Sequence, residues 1–204
     1  MAASEDPRRS VLAGAYECIG RYGLDKTTLE DVAKASGVSR ASIYRLFPGG
    51  RDQLLRETVG WEMNRFFARL ADAVADAPDL ATRIETALVF AHRAVREHEV
   101  LQKVLVTEPG ALVPLMTLES QRVLGAIAEY LQPLLAQEAA AGHLRHDVDL
   151  DHAADYLARM VLSLIGTPGR WDLEDPDAVR TLVRVELLGG ILAPGPEGGG
   201  PTGK

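Results

Sequence analysis

Aromatic residues make up only 5% of this 204-residue chain. Any core must therefore be built from Leu, Val and Ala, within an apolar content of 47% that is ample for one large or two small domains. There is a single cysteine, Cys18, which excludes an internal disulfide framework. With Ala15, Ile19 and Tyr22 around it at helical spacing, it reads as a small core residue of a first helix. No apolar run approaches the ~18 residues of a membrane helix. The opening MAASEDPRRS lacks the basic-then-apolar order of a signal peptide. Both point to a soluble, cytoplasmic chain without a membrane partner.

Catalytic signatures are missing as well. The glycines near the C-terminus follow no strand, so they form no phosphate-cradling loop. Ser163 lies in an apolar helical stripe with no histidine at an obvious spacing. No stretch shows sustained strand alternation, and no repeat is found. An enzyme is not expected, and no cofactor is implied.

Acidic residues dominate, with a net charge of −7. The charge is unevenly placed. Residues 1–56 carry nine Lys/Arg against seven Asp/Glu, and the remainder carries thirteen against twenty-two. A polyanion-binding surface therefore belongs at the N-terminal end.

What is present there is the stretch TTLEDVAKASGVSRASIYRLF, residues 27–47. Thr27 and Glu30 make a capping box for a short helix with Leu29, Val32 and Ala33 on one stripe. Gly37 stands where a left-handed residue ends that helix. Ser39 caps a second helix in which Ile43, Leu46 and Phe47 point inward. Arg40, Ser42, Tyr44 and Arg45 are left for solvent. The pattern is a helix-turn-helix with a polar outer face.

These residues, with Ala35-x-Gly37-Val38-Ser39 and Ile43-Tyr44-x-x-Phe47-Pro48, resemble the DNA-binding domain of the TetR family of transcriptional regulators. The resemblance runs back through Val11–Gly23 and forward through Arg51–Leu55, about a quarter of the chain. It implies an all-α fold of about nine helices. A helix-turn-helix domain would span 1–50 and a helical effector-binding and dimerisation domain 51–193, with a Pro/Gly-rich disordered tail at 194–204. It also implies that Arg40, Ala41 and Ser42 read bases, with Ser39 and Tyr44 near the DNA backbone. Thr27 and Thr28 sit at a helix N-terminus suited to a phosphate, and Arg45 is a further candidate contact. Family members commonly carry a lysine after the Phe-Pro turn; here Gly49-Gly50-Arg51 stands there, one residue longer, with Arg51 as its replacement.

Beyond residue 50 the apolar spacing predicts a long fourth helix to about Ala77, a fifth from Leu80 and a sixth over Val100–Thr107. It predicts a seventh over Pro114–Ala141, an eighth over Leu150–Ile165 capped by Asp149, and a ninth from Pro176 to about Ala193. Helices eight and nine carry apolar residues on more than one face. The resemblance makes Tyr156, Met160, Leu164, Val183 and Leu187 a homodimer interface. It places an effector pocket among helices four to seven, with Trp61, Phe66, Leu88, His92, Leu105, Met116, Glu119 and Val123 as candidates. The turn at 142–149, with His143, His146, Asp147 and Asp149, and the following Asp151 and His152, reads as an ordinary polar turn rather than a metal site. The function expected is a dimeric regulator, a repressor released from a palindromic operator by a small apolar molecule. The alternatives are an effector-independent architectural DNA-binding protein and an activator.

Overall fold

The computed structural model describes residues 6–193, excepting the side chains of 109 and 111–120. The tail at 194–204 lies outside the described residues. Nine helices and no strand occur among the described residues: α1 (Pro7–Tyr22), α2 (Leu29–Ser36), α3 (Arg40–Leu46), α4 (Gly50–Val74), α5 (Leu80–Glu97), α6 (Glu99–Thr107), α7 (Pro109–Ala140), α8 (Leu150–Gly166) and α9 (Pro176–Thr181). The chain after α9 continues as a π-helical segment, Leu182–Leu187. None of the described helices is long and apolar enough to cross a membrane. The chain divides into two compact units, Met1–Asp72 with Ala94–Glu119, and Ala73–Arg93 with Ser120–Lys204.

In the first unit α1 starts where Asp6 accepts from the Arg8 amide and Pro7 takes the first helical position. Val11, Leu12, Ala15 and Cys18 bury one face of α1 against Leu29, Val32, Ile43, Phe47 and Leu54. A second cluster, Ile19, Leu24, Leu55 and Val104, seats α6 on the far end of α1. There Lys103 Nζ donates to the carbonyls of Gly20 (2.7 Å) and Arg21 (2.9 Å), closing the C-terminal end of α1 with a cation. Glu108 accepts from the Asp25 amide at 3.0 Å.

The second unit is a larger core. Leu80, Ile84 and Leu88 of α5 meet Leu131 and Leu135 of α7, Leu157, Val161 and Leu164 of α8, and Val183, Leu187 and Leu188 beyond α9. The chain then turns back on the α7–α8 connection. Arg145 donates its amide to Ile191 O and Ala193 to His143 O, with an isolated bridge between Leu144 and Leu192.

Several boundaries differ from expectation. Helix α7 begins at Pro109, five residues before Pro114, because Pro109 occupies a helix start rather than a stop. It stays helical through Pro114 and Pro133. The ninth helix does not reach Ala193. It loosens into π geometry, with the Leu188 amide bonded to Val183 O, and ends in a turn.

Candidate nucleic-acid interface

The polar face expected of α3 is present. Ser39 caps the helix, its hydroxyl accepting from the Ser42 amide at 3.2 Å. Ile43 and Phe47 are buried beneath it, while Ser39, Arg40, Ala41, Tyr44 and Arg45 are exposed and Ser42 is half-buried. Ser42 Oγ is shared between Ser39 Oγ (3.1 Å) and Arg45 Nη2 (3.4 Å), which orders one side of the face. Gly37, at φ 70°, makes the left-handed turn into α3 that an L side chain resists.

The capping box falls one residue later than predicted. Thr28, not Thr27, is the N-cap of α2: its hydroxyl accepts from the Asp31 amide at 3.2 Å, and Asp31 accepts from the Thr28 amide at 3.2 Å. The Thr28 hydroxyl also donates to the Asp31 carboxylate at 2.5 Å. That side-chain bond, more than any other cause, holds the Asp31 carboxyl below its usual range. Asp31 therefore adds stability above the ordinary carboxylate range, and loses it as pH falls through the lowered value.

Two expected phosphate contacts take other roles. Thr27 is only 1% exposed, and its hydroxyl donates to Gly23 O at 2.6 Å. It is a buried strut of the α1–α2 turn and does not face solvent. Arg51 turns its guanidinium inward. Nε donates to Thr27 O at 2.7 Å and Nη2 to Asp25 O at 2.9 Å and to Leu24 O. Those three carbonyls have no helical partner, so Arg51 satisfies the turn and ties α4 to it. Its remaining nitrogen lies 3.5 Å from Asp52.

Sequence reasoning missed Arg8. It reaches from α1 to the Leu46 carbonyl (3.0 Å) at the end of α3, pairs with Glu57 of α4, and lies over the Phe47 ring at 4.6 Å. Its partners are 38 and 49 residues away. No local spacing could have announced it.

The effector-pocket candidates are divided. Trp61 packs on the first unit's core, edge-to-face with Tyr16 at 6.3 Å and under Arg65 at 4.8 Å. This is a packing role. Phe66 stacks edge-to-face on Phe67 at 5.4 Å, and Leu105 is partly exposed. In the second unit Leu88 is fully buried core and Val123 is half-buried. The side chains of Met116 and Glu119 lie outside the described residues. His92 stands apart: its Nδ1 is buried and, among the described residues, has no hydrogen-bond partner.

Three of the five interface candidates are interior. Leu164, Val183 and Leu187 fill the second unit's own core. Tyr156, 40% exposed, and the half-buried Met160 remain on the surface of α8. Val185, another apolar residue beyond α9, is 61% exposed. In the turn before α8, His143 pairs with Glu138 at 2.7 Å, Arg145 with Asp147 at 3.2 Å, and Asp149 caps α8 through the His152 amide. Among the described residues no three His, Cys, Asp or Glu side chains are grouped to hold a metal.

The sequence profile of the bacterial regulatory proteins, tetR family, matches residues 11–58, the stretch that builds α1, α2, α3 and the start of α4. Over that stretch, about a quarter of the chain, the sequence is similar to the DNA-binding domain of the TetR family. That family is one of regulators, not enzymes. An HTH-type transcriptional regulator of Mycobacterium tuberculosis is 36% identical over 69 residues, 34% of this chain and 36% of that protein. The match thus spans about a third of that relative's length. The HTH-type transcriptional repressor AcnR of Corynebacterium jeikeium is 24% identical over 76% of this chain and 78% of its own. Among solved structures, the SmeT–triclosan complex superposes with a TM-score of 0.61 at 20% identity, covering 93% of each chain. The all-α fold is therefore shared along the length of the chain.

Proposed function

We propose that this protein is a DNA-binding transcriptional regulator that sits as a homodimer on a palindromic operator and is released by a small, largely apolar effector. It acts in the cytoplasm, as a repressor. The observation that carries the reading is α3. Its inner residues Ile43 and Phe47 are locked in the core, and its outer residues Arg40, Ala41, Tyr44 and Arg45 are free to enter a groove. Residues 1–50 then form the DNA-reading part and 51–193 the sensing and pairing part.

The mechanism is geometric. Two recognition helices must stand about one turn of DNA, ~34 Å, apart to reach successive major grooves. An effector that binds better to a differently spaced state draws the dimer from DNA in proportion to that preference. Arg40 is the reader for a guanine, because a guanidinium pairs bidentately with O6 and N7. Ala41 and Ser42 read bases beside it, and Thr28, Ser39, Tyr44 and Arg45 meet the backbone around them. Binding-site selection on the pure protein should return a palindrome. Arg40→Ala should then lose about 1–3 kcal/mol, concentrated at one base pair per half-site. Equal weakening on selected and random duplexes would make Arg40 a phosphate contact instead.

The effector reading is supported by His92. A buried ring nitrogen without a partner is costly, and a bound molecule is one way to satisfy it. SmeT, of like fold, is found with triclosan, an apolar molecule bearing polar groups. A thermal-shift screen of apolar compounds carrying one hydrogen-bonding group should find stabilisers that also release DNA, and His92→Phe should weaken them. If every stabiliser leaves DNA affinity unchanged, the architectural reading, without an effector, replaces this one.

A further inference from the structure

Arg8, on α1, reaches both the end of α3 and α4. Nη1 donates to the Leu46 carbonyl at 3.0 Å, in the last turn of α3, where helix carbonyls are otherwise unpaired. Nη2 pairs with Glu57 of α4. The guanidinium plane covers Phe47, the residue that ends α3, at 4.6 Å. Glu57 does not float. It accepts from Gln53 Nε2 at 2.8 Å, and Gln53 Oε1 accepts from the Gly49 amide at 2.6 Å, in the turn that joins α3 to α4. A chain of bonds thus runs from Leu46 O through Arg8, Glu57 and Gln53 to the Gly49 amide, and closes on the backbone of the same turn. Only a planar fork can serve a carbonyl, a carboxylate and a ring face at once.

We infer that Arg8 is a positioning residue for DNA reading: it sets the angle at which α3 leaves the domain, and acts on bases only through α3. This rests on the DNA-binding reading above. With Arg8 removed, Ile43 and Phe47 still hold α3 to the core by burial. The Leu46–Gly49 end then loses its charged tether, and the helix rocks about that buried pair. Rocking blurs base contacts, which tolerate little displacement, more than phosphate contacts, which the flexible side chains can follow.

The test measures affinity for the selected operator and for a random duplex of equal length, across a salt series. The proteins are the wild type, Arg8→Ala, Arg8→Lys and Glu57→Gln, held well below their melting points. Arg8→Ala should lose at least tenfold on the operator and less than about twofold on random DNA, with an unchanged salt slope. Arg8→Lys keeps a charge for Glu57 but not the fork, and should fall between. Glu57→Gln should lose in the same direction, less steeply, and serves alone if Arg8→Ala does not fold. Equal losses on both duplexes in Glu57→Gln and Arg8→Lys would overturn the inference, leaving Arg8 a stability residue. A salt slope shallower by about one for Arg8→Ala would also overturn it, since that marks a lost phosphate contact. A wild-type protein that prefers no duplex would instead remove the DNA-binding reading itself.

Discussion

Phe47→Ala should unfold the part of the first unit that holds α3. Phe47 is fully buried between α1, α3 and α4, beside Val11, Val32 and Ile43. Truncating a buried phenylalanine costs about 3–5 kcal/mol, as lost burial plus the cavity left behind. Here the loss is compounded, because the ring also carries the Arg8 guanidinium. The unit is small and its core is mostly aliphatic, so little remains to collapse into the space. Calorimetry should show a melting transition lowered by many degrees, and DNA binding at physiological temperature should vanish. Tyr44→Ala, on the exposed side of the same helix, should leave the transition within a degree or two. If Phe47→Ala melts like the wild type, the packing of α3 described above is wrong.

Val183→Asp should be as severe in the second unit. Val183 has no exposed surface and lies among Leu157, Val161, Leu182 and Leu187. An aspartate there has no partner, and burying an unpaired charge destabilises by more than about 4 kcal/mol. The expected outcome is insoluble or unfolded protein. Val185→Asp lies two residues on and 61% exposed, so it should fold normally. If the face carrying Tyr156, Met160 and Val185 pairs with a second copy, sedimentation should show Val185→Asp as a folded monomer. A folded, monomeric Val183→Asp would return Val183 to the interface.

The pair also shows what the sequence could convey. The apolar residues Val179, Leu182, Val183 and Leu187 overfill one stripe of a regular helix, which suggested a second partner. The π turn at Leu182–Leu187 widens the helix locally and lets these side chains all reach one core. Helical periodicity assumes a constant pitch, so it does not register this widening. In α2–α3 the reverse held. Caps, Gly37 and the inward positions of α3 are local features, and they were legible. Even there two registers fit. Thr27 with Glu30 and Thr28 with Asp31 are both capping boxes on paper. The choice was made by tertiary contacts: Gly23 O takes the Thr27 hydroxyl, and Arg51 takes the Thr27 carbonyl. The same nonlocality hid Arg8, and turned Arg51 from a phosphate candidate into a tie between turn and helix.

Cys18 supplies a consequence of a different kind. It is the sole thiol of the chain, it sits in the core that holds α3, and burial pushes its thiol up. A thiolate-seeking reagent in solution therefore meets nothing to react with while that core is closed. Each modification event records one opening of the core beneath α3. The rate of labelling is thus a clock for breathing in this half of the molecule alone, running without any engineered probe. Whatever slows the clock, whether operator, effector or salt, does so by holding this core shut.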